Sequence, residues 1–221
     1  MITAITPTGG RSKALALTDL YMQRQTCQDF RWVILDDCDP ASPRPKRADK
    51  VIRPDWRWNG DNTQHRAMLE LLKEQGPVVI CEDDDFYHPR WIEHVTRWLE
   101  SDELVGERFT HYYNVANRTW KRNRNDRHAS LCATACRDGA KAELIRVCES
   151  GARMIDHELW RRFPGNLYDS DMVIGIKGLP GRVGIGIGHR MNGTPDPELR
   201  KLRALIGDDA GLYENCYNGR A

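Results

Sequence analysis

The sequence predicts an α/β protein with a mostly parallel central sheet flanked by helices and a smaller antiparallel sheet in its second half. Short apolar runs alternate with amphipathic helical patterns through residues 1–105, which is the rhythm of βαβ units. Beyond Phe109 this rhythm stops, and residues 109–136 have the pattern of antiparallel strands. A chain of 221 residues is the size of one domain, so we treat 1–221 as a single unit.

Each predicted element follows from its residue pattern. Strands are short buried apolar runs, helices are stretches with apolar residues every three or four positions, and Gly/Pro clusters mark turns. Ser12 is the expected N-cap of the first helix, and Gly76-Pro77 ends the helix that begins at Asn62. In chain order the patterns predict strands at 2–6, 32–35, 51–52 and 78–81, and helices at 12–27, 62–75, after Pro89, at 139–149 and at 156–163.

The composition excludes a strong electrostatic field from the net charge of the protein. The chain has 33 basic and 32 acidic residues, so its formal net charge is +1. We expect a cytoplasmic protein without a membrane anchor, since no run approaches the ~18 apolar residues of a membrane span and the N-terminus does not resemble a signal peptide. The odd count of seven cysteines favours reduced thiols. Cys132 and Cys136 would need two further ligands to bind zinc, so a structural role is favoured.

Three polar clusters follow predicted strands. They are the turn after the first strand, Asp36-Asp37 after the second, and the run Glu82–Asp85 after the strand at 78–81. Ligands of open parallel sheets bind at the carboxyl ends of the strands. Four consecutive carboxylates are electrostatically costly there unless a cation is present, and oxygen ligands suit Mg²⁺ or Mn²⁺. The alternative is a solvated acidic turn that precedes the next helix.

The acidic segment carries a family resemblance. VVICEDDDFYHPRWIEHV resembles the strand, D-x-D-D motif, loop and helix of GT-A glycosyltransferases of the family 2 type. The resemblance implies that Asp84 is a metal ligand and that Glu82, which replaces the first Asp of the motif, binds metal or ribose. It also implies a nucleoside-diphosphate-sugar donor, with a UDP-sugar favoured, and Mn²⁺ or Mg²⁺ as cofactor.

Two further segments are similar to the donor-binding parts of this family. ITAITPTGGR resembles its first strand and nucleotide-contacting loop, and WVILDDCD resembles its second strand, whose terminal Asp pair holds the base and ribose. The helix with Arg66 matches loosely. The resemblance therefore implies donor contacts from Thr6, Pro7, Thr8, Arg11, Asp36, Asp37, Arg66, Glu82 and Asp83.

The segment MIDHELWRRF resembles the E-D-x-x-L-x-x-R segment of the family, with Ile155 in place of the usual Glu. The resemblance makes Asp156 the catalytic base, which deprotonates the acceptor hydroxyl during an inverting displacement. The alternative is that Asp156 is the N-cap of a helix over 157–163.

A Gly-rich segment near the C-terminus, IKGLPGRVGIGIGHRMNG, predicts a mobile loop that closes over a diphosphate. No helical pattern follows its glycines, so it does not fit a dinucleotide-binding fingerprint. By the family analogy His189 is a further metal ligand. The alternative is a structural histidine.

A local concentration of positive charge lies in NRTWKRNRNDRH. Basic residues interleaved with an aromatic ring suit a nucleic-acid backbone, whereas the plainer alternative is a solvated hairpin tip. We advance the hypothesis that the acceptor is DNA, such as hydroxymethylated pyrimidines in bacteriophage DNA, which would place the protein in the host cytoplasm. The candidate acceptor contacts are Arg118, Lys121, Arg122, Arg124 and Arg127.

The sequence therefore predicts metal-dependent transfer of a sugar from a nucleotide sugar to a hydroxyl. Residues 1–105 form the expected donor half and residues 106–221 the acceptor half. Two rivals remain. A nucleotidyltransferase would need a stronger version of Gly9-Gly10-Arg11 to hold a triphosphate. A non-enzymatic nucleic-acid-binding module would leave the buried strand with four terminal carboxylates unexplained.

Overall fold

The structure is a computed structural model that describes residues 1–57, 63–182 and 192–216. The first half contains β1 (Ile2–Thr8), α1 (Ser12–Gln23), β2 (Phe30–Asp36), β3 (Lys50–Ile52), α2 (Thr63–Leu71), β4 (Val78–Ile80), β5 (Phe86–Tyr87) and α3 (Trp91–Ser101). The second half contains β6 (Leu104–Glu107), β7 (Phe109–Asn114), β8 (Thr119–Arg124), β9 (Thr134–Cys136), α4 (Asp138–Glu149), α5 (Ile155–Arg162), β10 (Asn166–Tyr168), β11 (Val173–Lys177), β12 (Thr194–Pro195) and α6 (Arg200–Ile206). Short 3-10 segments cover Leu131–Ala133 and Gly207–Cys216.

The larger sheet has seven strands in the order β10-β6-β9-β4-β1-β2-β3. At its centre β1 pairs in parallel with β2 and β4, and β2 pairs in parallel with β3. By contrast, β9 is antiparallel to both β4 and β6. The α/β class is thus confirmed, whereas the sheet is mixed. The reason is that the chain returns from the β7–β8 hairpin to the carboxyl edge and enters β9 from that side.

A second sheet has five strands in the order β12-β8-β7-β11-β5. The predicted antiparallel hairpin is β7–β8, and β11 joins it in parallel to β7. Residues 109–136 contain antiparallel strands, as predicted, but these strands are divided between the two sheets, because β9 belongs to the larger one. Each sheet contains strands from before and after residue 105. In the second sheet β5 pairs with β11, and the larger sheet combines β1–β4 with β6, β9 and β10.

Helices cover both faces of the larger sheet, because the residues of its strands are apolar on both faces. One face packs against α1, α3, α6 and the second sheet, with Trp32 and Trp91 among its largest buried side chains. The other face packs against α2, α4 and α5, with Met68 and Leu144 in its core. In the part of the chain that the structure describes, no helix is long and apolar enough to cross a membrane.

Gly106 in β6 leaves no room for a side chain in this packing. A Cβ there would meet Ala129 Cβ, and it would lie 2.7 Å from the carbonyl oxygen of Ala133 and 3.0 Å from the Trp160 ring. We expect Gly106→Ala to lower the free energy of unfolding by about 2 kcal/mol, because overpacking forces β6 or the segment before β9 to shift.

Urea denaturation measures this change. Gly211→Ala is the matched control, since a Cβ at Gly211 meets nothing within 4 Å, and its effect should stay within about 0.5 kcal/mol. Equal stability of the two variants would contradict the packing of β6 against the segment before β9.

Candidate functional site

Three strand ends meet at the carboxyl edge of the larger sheet, as the sequence predicts. Because β1, β2 and β4 are parallel neighbours, Thr8, Asp36 and the acidic run after Ile80 lie on the same edge. The run is not a solvated turn: Asp83, Asp84 and Asp85 have residue exposures of 1%, 5% and 1%. Their charges must therefore be met by groups inside the protein.

Asp83 is held by the turn after β1 and by the first helix. Thr8 Oγ1 donates a hydrogen bond to Asp83 Oδ2 (2.5 Å), and Arg11 Nη2 forms an ion pair with Asp83 Oδ1 (2.5 Å). The hydroxyl of Thr18 also donates to the Asp83 carbonyl oxygen (2.7 Å). Burial raises the pKa of the Asp83 carboxyl to about 6, and the nearby Arg11 opposes this rise. The β1 turn and the acidic run therefore form one hydrogen-bonded unit.

Asp84 and Asp85 share a buried ammonium group. Lys177, at the end of β11, places Nζ 3.4 Å from Asp84 Oδ2 and 2.9 Å from Asp85 Oδ1. Arg11 Nη1 also contacts Asp84 Oδ2, at 2.9 Å, and the backbone N–H of Ile176 donates to Asp85 Oδ1 (3.0 Å). Burial lowers the pKa of the Lys177 ammonium, but the facing carboxylates outweigh it, so the net pKa is raised well above its usual value.

Glu82 is half-buried and lies on the other side of the run. Gln64 at the start of α2 contacts its carboxylate, with Nε2 3.5 Å from Oε1. Ligand atoms of Glu82, Asp85 and Cys132 all lie within 4.8 Å of one another, and Asp85 Oδ2 is buried without a hydrogen-bond partner among the described residues. Burial raises the pKa of both carboxyls. Oxygen ligands and an unsatisfied buried carboxylate fit a divalent cation.

The two aspartates after β2 have different roles. Asp36 accepts hydrogen bonds from the backbone N–H groups of Cys38 (2.9 Å) and Ser42 (3.0 Å) and pairs with Arg53 (2.5 Å), so it holds the following loop. Asp37 instead faces the turn after β1. The family resemblance favours Asp37 for the nucleotide contact, but nothing in the local sequence indicates that Asp36 holds the following loop.

Asp37 is bound by Arg182 from the C-terminal part of the chain. Both Nη atoms of Arg182 contact the carboxylate, at 2.8 and 3.1 Å, and the Arg182 backbone N–H donates to the Gly10 carbonyl oxygen. A Cβ at Gly9 would clash with the Asp37 carboxylate and lie 2.8 Å from the Arg182 guanidinium. Glycine at this position thus permits the close approach of Arg182 to the carboxyl edge of the larger sheet.

The other residues predicted to contact the nucleotide sugar lie either inside the protein or at its surface. Thr6 accepts a hydrogen bond from Trp32 Nε1 (2.9 Å) inside the core, so its hydroxyl supports the sheet. Pro7 lies in β1 beside Leu35 of β2. Arg66 is exposed and stacks over the Trp56 ring, with its guanidinium carbon 4.5 Å from the ring centroid. The structure brings Thr8 and Arg11 to the acidic run, but not Thr6 or Arg66.

Asp156 is half-buried in the first turn of α5. The N-cap of this helix is Met154, which makes no side-chain capping bond, so the alternative that Asp156 is the N-cap is wrong. The His128 and His157 rings contact each other beside it, with centroids 3.9 Å apart. Burial lowers the pKa of His128, and His157 lowers it further, while Asp156 opposes the change.

The start of α5 lies on the same edge as the acidic run. His65 Nε2, in the first turn of α2, hydrogen-bonds the Ala152 carbonyl oxygen (2.8 Å), and the neighbouring Gln64 contacts Glu82. The segment 128–132, which leads into β9, runs along this edge from His128 to Cys132. Asp156 is therefore connected to the acidic run through α2 and through this segment.

The basic residues predicted as acceptor contacts lie along β8 and on either side of it. Arg118, at φ 51°, donates to the Pro197 carbonyl oxygen, which ties the hairpin tip to the segment before α6. Lys121 and Arg127 are exposed. Trp120 packs against the core with Lys201 Nζ 4.6 Å from its ring centroid, so its ring is not an open platform for stacking.

Two members of this basic group face acidic side chains. Arg122 stacks over Phe109, with its guanidinium carbon 3.9 Å from the ring centroid, and also contacts Asp171 (3.4 Å). Arg124 pairs with Asp126 (3.0 Å). These pairs are at the surface and contribute little to stability, but they reduce the positive potential that the sequence alone suggests.

Two outcomes concern the C-terminal part and the cysteines. His189, the predicted further metal ligand, lies outside the described residues. Cys132, which the sequence assigned a structural role, lies beside two carboxylates, because the antiparallel entry of β9 brings the turn before it to the end of β4. The sequence marks Lys177 as a basic residue that could neutralise phosphate charge or solvate its loop, and nothing local indicates that it is buried.

Comparisons with known proteins give a structural likeness. No family model and no curated protein matches the sequence. The fold is similar to that of S. aureus TarS 1–349 in complex with UDP-GlcNAc, with a TM-score of 0.55 and 12% identity over 83% of this chain and 59% of that one. The fold is also similar to that of S. aureus TarS 1–349 in complex with UDP. Here the TM-score is 0.54 and the identity is 12%, over 79% of this chain and 60% of that one.

A longer TarS structure gives a TM-score of 0.53 and 11% identity over 80% of this chain. This chain spans only 37% of that protein and about three fifths of the 1–349 segment. At such identities the likeness concerns the fold: the chain shares the mixed α/β fold that TarS, a glycosyltransferase, contains.

Proposed function

We propose that this protein is a glycosyltransferase that takes a sugar from a UDP-sugar. The observation that carries the proposal is the buried acidic run at the carboxyl edge of a sheet whose fold it shares with TarS, a glycosyltransferase. TarS 1–349 binds UDP and UDP-GlcNAc. In this chain Asp37 would contact the nucleoside, and Thr8 and Arg11 would face the diphosphate.

The proposed reaction is a displacement at the anomeric carbon. The acceptor hydroxyl oxygen forms a bond to this carbon, and the bond from the carbon to the diphosphate oxygen breaks, with its electron pair leaving on UDP. Asp156 accepts the hydroxyl proton, and attack from the opposite face inverts the configuration. Arg11 and Lys177, which contact Asp84, would face the developing negative charge.

A divalent cation, Mn²⁺ or Mg²⁺, would be held by Asp84 and Glu82, with His189 proposed as a further ligand. Bound there, it would stabilise the negative charge of the departing diphosphate. Asp84 is buried and already faces Arg11 and Lys177, so binding of the cation would require these pairs to loosen.

DNA is the proposed acceptor class, with a hydroxymethylated pyrimidine supplying the hydroxyl. The supporting observation is the exposed pair Lys121 and Arg127 in an otherwise nearly neutral chain. Because Arg122 and Arg124 contact acidic residues, Lys121 and Arg127 are the residues from which we expect the phosphate contacts.

Nucleotide binding tests the donor site. We expect UDP with Mn²⁺, rather than GDP, CDP or TDP, to stabilise the protein by about 2.7 kcal/mol at a hundredfold excess over Kd. For a chain of this length that is a rise in Tm of roughly 5–10 °C, measurable by thermal shift.

The variant Asp84→Asn should remove the part of this stabilisation that depends on Mn²⁺. Glu70→Gln is the control, since Glu70 lies near the end of α2 and its carboxylate pairs with Lys73. An equal UDP response with and without Mn²⁺ would contradict the metal assignment, and no response to any nucleotide would contradict the donor site.

Asp156→Asn should leave UDP binding unchanged and lower the rate of UDP release from a UDP-sugar by a factor of about 10² to 10⁴, the range for general base catalysis. The assay follows UDP formation with hydroxymethylated DNA as acceptor. Glu158→Gln is the control on the same helix, because Glu158 forms its ion pairs with Arg161 and Arg162 of that helix. Normal turnover by Asp156→Asn would exclude this residue as the base.

DNA binding tests the acceptor. The chain should bind duplex DNA containing hydroxymethylated pyrimidines with an affinity that falls steeply with salt, and replacing Lys121 and Arg127 by Gln should reduce the log–log salt slope by about two. Fluorescence anisotropy measures both, with Lys73→Gln as a surface control. An unchanged slope would show that this hairpin does not contact the phosphates.

A further inference from the structure

The thiol of Cys132 lies among carboxylates rather than among apolar side chains alone. It belongs to the 3-10 turn before β9, and it is 2% exposed. Its Sγ, a carboxylate oxygen of Glu82 and one of Asp85 are mutually within 4.8 Å. Three potential ligand atoms from two separate segments thus converge on one point.

Asp85 supplies an independent sign that a ligand belongs there. Its Oδ1 is satisfied by Ile176 N–H (3.0 Å) and by Lys177 Nζ (2.9 Å). Its Oδ2 is buried and has no hydrogen-bond partner among the described residues. Leaving a buried carboxylate oxygen unsatisfied costs free energy, and a cation bound at this oxygen would remove that cost.

We propose that Glu82, Asp85 and Cys132 form a binding site for a thiophilic divalent cation of the Zn²⁺ type, held by the protein without any nucleotide. Zinc accepts sulfur and carboxylate oxygen ligands together, and three protein ligands leave one position open. The site shares Glu82 with the proposed donor metal but depends on neither Asp84 nor the transferase activity.

A bound cation removes most of the negative charge of the site. Binding breaks the S–H bond of Cys132 and forms a sulfur–metal bond, and the proton is released to solvent. The thiolate and the four ionised carboxylates of the acidic run then carry five negative charges, against two on the metal and one each on Arg11 and Lys177. The partial exposure of Glu82 provides the route from solvent.

Cadmium titration tests the site. The starting protein carries Cys27→Ser and Cys38→Ser, since these are the two cysteines that are partly exposed. After chelator treatment and without nucleotide, Cd²⁺ should produce an ultraviolet sulfur-to-metal charge-transfer band that saturates at one equivalent. Cys132→Ser in the same background should abolish this band, whereas Cys136→Ser, the buried cysteine of β9, should retain it.

A band that persists in folded Cys132→Ser, or no saturating band in the starting protein, would overturn the proposal. Asp85→Asn is the second variant, because it keeps the thiol and removes the unsatisfied carboxylate. It should weaken Cd²⁺ binding by at least about tenfold, and unchanged affinity would also overturn the proposal. A cadmium band without any UDP response would retain this site and reject the donor site, so the two failures are distinguishable.

Discussion

Neutralisation of a buried acidic run by two cationic side chains is the constraint on which the rest of this structure depends. Asp83, Asp84 and Asp85 are almost fully buried, and Arg11 and Lys177 reach them from different segments of the chain. Removing either cation would leave a buried carboxylate without compensation, which is far more costly than the loss of a surface pair. The elements that carry the two cations must therefore keep their positions.

This requirement couples distant parts of the chain. Lys177 ends β11, which pairs with β7 and β5, so the second sheet is tied to the acidic run. The segment that leads into β11 is fixed by the buried carboxylate of Glu107. This carboxylate accepts hydrogen bonds from Ser170 Oγ (2.7 Å) and from the backbone N–H groups of Met172 (2.7 Å) and Val173 (3.0 Å). Burial raises the pKa of Glu107 to about 7, against the effect of these donors.

Local patterns predicted the parts of the site that follow strands directly. The burial of β1, β2 and β4 and their parallel pairing bring Thr8 and the acidic run together, as expected from P-T-G-G and E-D-D-D in the sequence. The partners from distant segments could not be predicted in this way. The burial of Lys177 depends on how β11 docks, and the position of Cys132 depends on the reversed direction of β9. Neither leaves a periodic signal in the sequence.

The charge count explains why the acidic run remains suited to a metal cation, although two cationic side chains already contact it. Glu82 and the three aspartates carry four negative charges when ionised, and Arg11 and Lys177 supply two positive ones. The remaining charge raises the pKa of Glu82, Asp83 and Asp85, with burial as the main cause. Protons and a divalent cation therefore compete for the same oxygens, and a cation that also binds sulfur gains an additional ligand from Cys132.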